Sequence, residues 1–233
     1  MNIIMITTIS RPELLKQSLD SLEKNSADWS KHHLTLVVDG AGVRFPKNYY
    51  PYPVPAKTTI KLYEQEGASR ARNVGAGSVP KHARHHDVLF LDDDVWMAPG
   101  WDTALEKISE YVLCGIASPY GHPFNQEEQP RVADHPYRVP LVISSVAMAM
   151  NWKLFDEIGP WDEPGGPGAS EDYAICMRAK ALEYGFVVTY PHFCLHTGLT
   201  SSKGEPIVGA DLEREQNEKL LEFYGMQGKV IFQ

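Results

Sequence analysis

The stretch Val88-Leu89-Phe90-Leu91-Asp92-Asp93-Asp94-Val95 decides how this chain is read. Four apolar residues without a polar interruption read as a strand buried on both faces, the kind found in the middle of a parallel sheet. Three adjacent carboxylates follow at once. They repel one another, and a cation favours their ionised state. Mg²⁺ or Mn²⁺ suits such a site: it takes hard oxygen ligands, asks for few protein contacts and leaves positions for phosphate and water. An acidic turn, or a helix N-terminus decorated with Asp, is the structural alternative.

Outward from this segment, short apolar runs alternate with amphipathic stretches. Residues 2–7 read as a buried strand. Ser10 is placed to cap a following helix with Pro12 in its first turn and Leu14, Leu15, Leu19 and Leu22 at helical spacing. Residues 34–38 form a second strand ending at Asp39-Gly40, and residues 58–63 a third. Helices are expected over 68–77, 99–111 and 170–184, the last stopped by Gly185, and over 213–224. Further strands are expected over 112–117, 141–150 and 186–190. The alternation predicts an α/β sandwich around a mostly parallel sheet. Ligands of such sheets gather at the carboxyl ends of the strands, where Asp39 and the 92–94 cluster fall. Residues 40–57 and 118–140 resist assignment and read as lids or binding loops, or else as mobile segments.

Three more constellations bear on chemistry. In Gly67-Ala68-Ser69-Arg70-Ala71-Arg72-Asn73-Val74-Gly75-Ala76-Gly77, small residues allow close packing and two Arg can reach anions. It lacks Walker and GxGxxG spacing, and a packed helix with solvent-facing Arg is the other reading. Ser170-Glu171-Asp172 opens a helix after the run 163–168. It reads either as an N-cap with acids in the first turn or as the seat of a general base facing the metal. His82, His85 and His86 read as a solvated basic loop, whereas His196, after a late strand, could complete a divalent site or serve as a satisfied structural His.

Composition bounds the partners. The 233 residues carry 22 Lys plus Arg against 30 Asp plus Glu, a formal charge of −8, which disfavours general binding to nucleic acid. Cys114, Cys176 and Cys194 make no disulfide framework or zinc ribbon and fit a reducing compartment. No signal-peptide pattern opens the sequence and no apolar run is long enough to span a bilayer. The expectation is one cytoplasmic domain over 1–233.

In order and spacing these pieces resemble the family 2 glycosyltransferases and their GT-A relatives over residues 2–200. Ile6-Thr7-Thr8-Ile9-Ser10-Arg11-Pro12 resembles their opening strand and turn, although Pro-Thr-Tyr-Asn-Arg is commoner there. Val37-Val38-Asp39-Gly40 resembles their second-strand acid, and Ala71-Arg72-Asn73-Val74-Gly75 their Ala-Arg-Asn-x-Gly helix. Asp92-Asp93-Asp94 resembles Asp-x-Asp, Gly159-Pro160-Trp161-Asp162-Glu163 their Gly-x-Phe/Trp-Asp-Glu segment, and Glu171-Asp172 their Glu-Asp pair.

The resemblance implies a Rossmann-like GT-A α/β/α sandwich, with residues 1–98 the nucleotide-sugar-binding half and 99–233 the acceptor-binding half, and a hexosyltransferase-type activity. The donor is a nucleoside diphosphate sugar, with a UDP-sugar as first expectation. Thr8, Arg11, Asp39, Arg70, Arg72, Asn73, Asp92 and Asp93 would bind that donor. Asp94 and His196 would hold Mn²⁺ or Mg²⁺. Asp172 would deprotonate an acceptor hydroxyl, inverting the anomeric carbon, with Glu171 orienting the substrates. Trp161 and Asp162 would border the acceptor, whether a glycan, a lipid-linked group, a protein or a modified nucleic-acid base. For a base acceptor, residues 81–86 with Lys47, Lys57 and Lys61 would supply a local basic surface. A retaining reaction, like that of the polypeptide N-acetylgalactosaminyltransferases, and a non-catalytic nucleotide- or glycan-binding module are the alternatives. A processive membrane-spanning polymerase is not expected.

Overall fold

In a computed structural model, residues 1–8, 12–40, 58–62, 64–84, 87–109, 114–119, 137–138, 142–163, 171–189 and 193–198 are described, with Arg214, Glu215, Glu218 and Glu222 beyond them. In chain order the elements are β1 (Asn2–Thr8), α1 (Pro12–Asn25), β2 (His33–Asp39), β3 (Thr58–Lys61), α2 (Ala68–Ser78), β4 (Asp87–Asp92) and β5 (Val95–Met97). There follow α3 (Trp101–Ser109), β6 (Cys114–Ser118), β7 (Tyr137–Arg138), β8 (Ala147–Asn151), α4 (Trp152–Ile158), α5 (Glu171–Ala181), β9 (Gly185–Thr189) and β10 (Cys194–His196).

Eight strands form one sheet in the order β3-β2-β1-β4-β8-β6-β9-β7, and β5 and β10 form a separate two-stranded ribbon. The pairs β1–β2, β1–β4, β2–β3 and β6–β9 are parallel, whereas β4–β8, β6–β8 and β7–β9 are antiparallel. The mostly parallel α/β sheet read from the sequence is therefore present. Side chains alternate between two cores, as the two-residue period of a strand requires. Ile3, Met5, Leu89 and Leu91 join Leu15, Leu19, Leu22, Trp101 and Leu105 on the α1/α3 face. Ile4, Val88 and Phe90 join Ala71, Ala76, Trp152, Phe155, Trp161 and Ile175 on the α2/α4/α5 face. Gly75 lets α2 lie against the sheet, because a Cβ there would run into the Ile4 side chain.

The structure corrects several boundaries. The strand expected over 141–150 begins only at Ala147; residues 142–146 form a turn that brings the Val146 carbonyl to the Asp92 N–H (3.1 Å). The helix expected to reach Tyr184 ends at Ala181, because Glu183 adopts φ 63° and Gly185 already belongs to β9. Helix α4 is an addition to the elements expected from the sequence, although both its ends carry helix signals. The Asn151 side chain caps Leu154 N–H, and Gly159 at φ 80° terminates it. The caps expected at Ser10 and Ser170, and almost all of the stretches 40–57 and 118–140, lie outside the described residues. Within the helix expected over 213–224, the four described residues are helical and exposed. Among the described residues no helix is long and apolar enough to cross a membrane.

Candidate active site

Strand β4 carries Asp92 to the carboxyl edge of the sheet, and the turn into β5 presents Asp93 and Asp94. The three carboxylates take different directions. Asp93 is buried and accepts a hydrogen bond from Thr7 Oγ1 (2.5 Å), so it joins the end of β4 to the end of β1. Asp92 accepts from Arg72, and Asp94 lies beside His196.

His196 reaches this turn from more than 100 residues away. The ribbon brings it there: β10 pairs antiparallel with β5, with His196 opposite Val95. His196 Nε2 lies 3.4 Å from Asp94 Oδ1, with both side chains mostly buried. The two metal ligands expected from the sequence are thus side by side. A carboxylate and an imidazole suit a divalent first-row ion or Mg²⁺. Among the described residues, no group of three or more His, Cys, Asp or Glu is arranged to hold a metal. Asp94 and His196 alone would leave most of an ion's coordination positions to phosphate oxygens and water, an arrangement Mg²⁺ and Mn²⁺ accept.

Arg72 is the second centre. The sequence left a solvent-facing Arg open as one reading, but the side chain is only 1% exposed. Its Nη2 donates to Asp92 Oδ1 (2.7 Å), and Nη1 lies 3.5 Å from Glu171 Oε1 at the start of α5. One guanidinium thus joins the acid edge of β4 to the Glu-Asp pair. The Nε and Nη1 atoms make no hydrogen bond among the described residues, which leaves donor capacity for a ligand. Burial pushes the Asp92 carboxyl above its usual range, Arg72 opposes that shift, and Asp94 reinforces it.

Trp161, expected to border the acceptor, is 1% exposed. Its ring lies 4.8 Å beneath the Arg72 guanidinium carbon and packs edge-on against Phe90. It supports the arginine from inside the core and offers no open face to a sugar. Asn73, expected at the donor, exchanges two hydrogen bonds with the Trp161 backbone and also donates to Glu163 (2.8 Å). Arg70 is exposed and pairs with Glu66 and Glu163. Asp162 is exposed and held by Arg178 Nη1 (2.6 Å).

Asp39 ends β2 and accepts hydrogen bonds from Glu66 N–H (2.8 Å) and Gly67 N–H (2.9 Å). It therefore anchors the entry to α2, where Gly67 adopts φ 92°. Asp172 is half-buried in the first turn of α5, and its Oδ1 accepts from Tyr173 N–H (2.7 Å). Thr8 closes β1 beside Asp39 in the parallel register. Arg11, the glycine-rich 164–168 run, His85, His86, Lys47 and Lys57 lie outside the described residues.

The hydroxyls that hold the acid turn were missed from sequence. Ser18, Ser21 and Thr197 are buried and bond to the backbone between Asp93 and Met97. Polar residues at regular spacing inside an otherwise leucine-rich helix were the available signal.

No protein-family model matches the sequence, and no curated protein matches it. The fold is found among solved structures. A mannosyltransferase from Pyrobaculum calidifontis, in complex with GDP-Man and Mn²⁺, superposes with TM-score 0.61 at 16% identity. The likeness covers 94% of this chain and 61% of that one. GalNAc-T7, solved with UDP, GalNAc and Mn²⁺, gives TM-score 0.64 at 13% identity over 81% of this chain and 42% of that one. The chain spans less than two thirds of either protein. At these identities the likeness establishes the architecture, and the fold is that of the GT-A glycosyltransferases.

Proposed function

We propose that the chain is a metal-dependent glycosyltransferase of family 2 type, which moves a hexosyl group from a nucleoside diphosphate sugar to an acceptor hydroxyl with inversion. One observation carries this reading: groups distant in sequence converge on the carboxyl edge of β4. His196 stands 3.4 Å from Asp94, and a single buried arginine bridges Asp92 and Glu171. Asp92 and Glu171 share the one guanidinium and Asp94 lies next to Asp92, which leaves an excess of negative charge that a divalent cation would relieve. The GT-A fold, found in proteins solved with nucleotide or nucleotide sugar and Mn²⁺, supports the same reading.

Asp94 and His196 would hold the ion. When bound, Mn²⁺ or Mg²⁺ would neutralise charge on the diphosphate leaving group. Asp39 fixes the start of α2 beside the strand end where the nucleoside would lie. Arg72 holds Asp92 in place and keeps donor capacity for an oxygen of the donor. Asp172 takes the acceptor proton as the hydroxyl attacks the anomeric carbon from the face opposite the leaving group, and Glu171, fixed against Arg72, orients the reacting groups. Trp161 acts from beneath, as the platform for Arg72.

The test is release of nucleoside diphosphate from UDP- and GDP-sugars in the presence of Mn²⁺ and hydroxyl acceptors. Asp172→Asn is expected to lower transfer by roughly 10²–10⁴-fold while leaving donor binding within about twofold. Full activity in that variant would remove Asp172 from the role of base. Retention of anomeric configuration in the product, read by proton NMR, would replace inversion.

A further inference from the structure

Asp94 stands in a turn whose backbone is held from two sides by buried hydroxyls. From α1, Ser18 Oγ donates to the Asp93 carbonyl (2.6 Å) and accepts from the Val95 N–H (3.0 Å). One side chain therefore spans the residues on either side of Asp94. From the end of β10, Thr197 donates twice to the Asp94 carbonyl, through its backbone N–H (2.7 Å) and its Oγ1 (2.8 Å). Both residues are fully buried. Thr197 directly follows His196, so one bond set ties the two candidate ligands together.

A serine inside a helix disfavours that helix relative to alanine, and a buried hydroxyl costs free energy unless it is bonded. Part of the return is plain: β5 pairs with β10 on one edge, and Ser18 and Ser21 serve N–H groups of β5 from α1. Ser21 does only this, accepting from Met97 N–H (2.9 Å) and donating to the Ser18 carbonyl (2.8 Å). Ser18 and Thr197 do more, because their bonds fall on residues 93, 94 and 95. A short turn bearing adjacent carboxylates is pulled apart by their repulsion, and a backbone fixed on both sides resists that.

We propose that Ser18 and Thr197 are positioning residues for the metal ligands: they fix the backbone around Asp94 so that its carboxylate and the His196 imidazole stay converged on a divalent cation. The proposal rests on the reading of Asp94 and His196 as those ligands. Groups that orient metal ligands from outside the coordination shell commonly change affinity by about 10–100-fold when removed.

The test is Mn²⁺ binding to the full chain, followed by loss of the free-ion electron paramagnetic resonance signal, with UDP or GDP present. Wild type should bind and Asp94→Ala should not. Ser18→Ala and Thr197→Val should each bind about 10-fold more weakly or worse. Thr197→Ser, which keeps the hydroxyl, should return to within about twofold of wild type. Ser21→Ala is the internal control: it loses the same kind of bond to β5, so its thermal unfolding in EDTA should shift about as much as that of Ser18→Ala, yet its Mn²⁺ affinity should stay within about twofold of wild type. Wild-type affinity in Ser18→Ala and Thr197→Val would overturn the proposal, as would equal weakening in Ser21→Ala. Should Ser18→Ala fail to fold, the Thr197→Val and Thr197→Ser pair decides alone. Failure of wild type to bind Mn²⁺ with either nucleotide overturns the proposed function itself, and this proposal with it.

Discussion

Asp92 and Asp102 are ten residues apart, both lie in sheltered surroundings, and the protein treats them in opposite ways. At Asp102, burial pushes the carboxyl up, but hydrogen bonds from Ser26 Oγ (2.6 Å), Ala27 N–H (2.9 Å), His32 Nε2 (3.1 Å) and Thr103 N–H (2.9 Å) outweigh it. The result is a carboxylate lowered to about 2. His32 is itself packed against Trp29 and Trp101, at ring-centroid distances of 5.8 and 5.3 Å. At Asp92, burial prevails, Arg72 opposes it, and Asp94 adds repulsion. Asp102 ties the loop after α1 to the start of α3 and is completed by the protein. Asp92 sits among charges the protein leaves unbalanced, as the proposed metal and donor site requires and a brace would not.

The sharpest way to break this contrast is to remove one acid from each region. Asp94→Ala should reduce transfer by on the order of 10²–10³-fold, because charge stabilisation of the leaving group is lost. Its melting temperature in EDTA should stay level or rise, since a repulsive charge is gone. Asp102→Ala should do the reverse. It strands His32, Ser26 and the Ala27 N–H in the interior and should destabilise by about 3 kcal/mol. In a chain of this size that is a fall of roughly 6–12 °C in a calorimetric scan, with Mn²⁺ affinity unchanged.

Acid sharpens the contrast further. The unfolded-state value for Asp102 is 3.8 and its folded value about 2, so its contribution is complete above 3.8 and is lost as pH falls through that interval. The loss should be about 2 kcal/mol. Burial lowers the His32 pKa from 6.5, with the Asp102 hydrogen bond opposing. The unfolded chain therefore takes up a proton first, and stability begins to decline below about pH 6.5. Urea unfolding from pH 7 to pH 2 should show both declines, and in Asp102→Asn the lower one should be smaller, with the remainder from lowered carboxylates such as Asp20. The smallest effect belongs to Arg70. Arg70→Ala removes only exposed pairs with Glu66 and Glu163, and differential scanning calorimetry should register no resolvable change.

The strand–acid segment 88–94 was legible because an apolar run of four residues that ends abruptly in charge marks a buried strand leaving the core at the sheet edge. The parallel half of the sheet followed from it. The ribbon was not legible: β5 and β10 are three residues each, too short for any periodicity, and only their pairing shows why His196 meets Asp94. Burial of charged and aromatic side chains was equally hidden. Arg72 and Trp161 are 89 positions apart in the chain, and nothing in their local sequence shows that one lies on top of the other inside the core. Ser18 and Ser21 fall on the leucine side of α1, but only the placement of β5 shows which groups they serve.

Everything proposed for the molecule turns on the acid edge of β4 being a metal-dependent nucleotide-sugar site. Calorimetric titration of UDP- and GDP-sugars into the protein with Mn²⁺, repeated with EDTA and with Asp94→Ala, tests that directly. The prediction is saturable binding of one nucleotide sugar with Mn²⁺, lost in EDTA and in the variant. Binding that is indifferent to EDTA and to Asp94→Ala, or no binding by any donor, would contradict it.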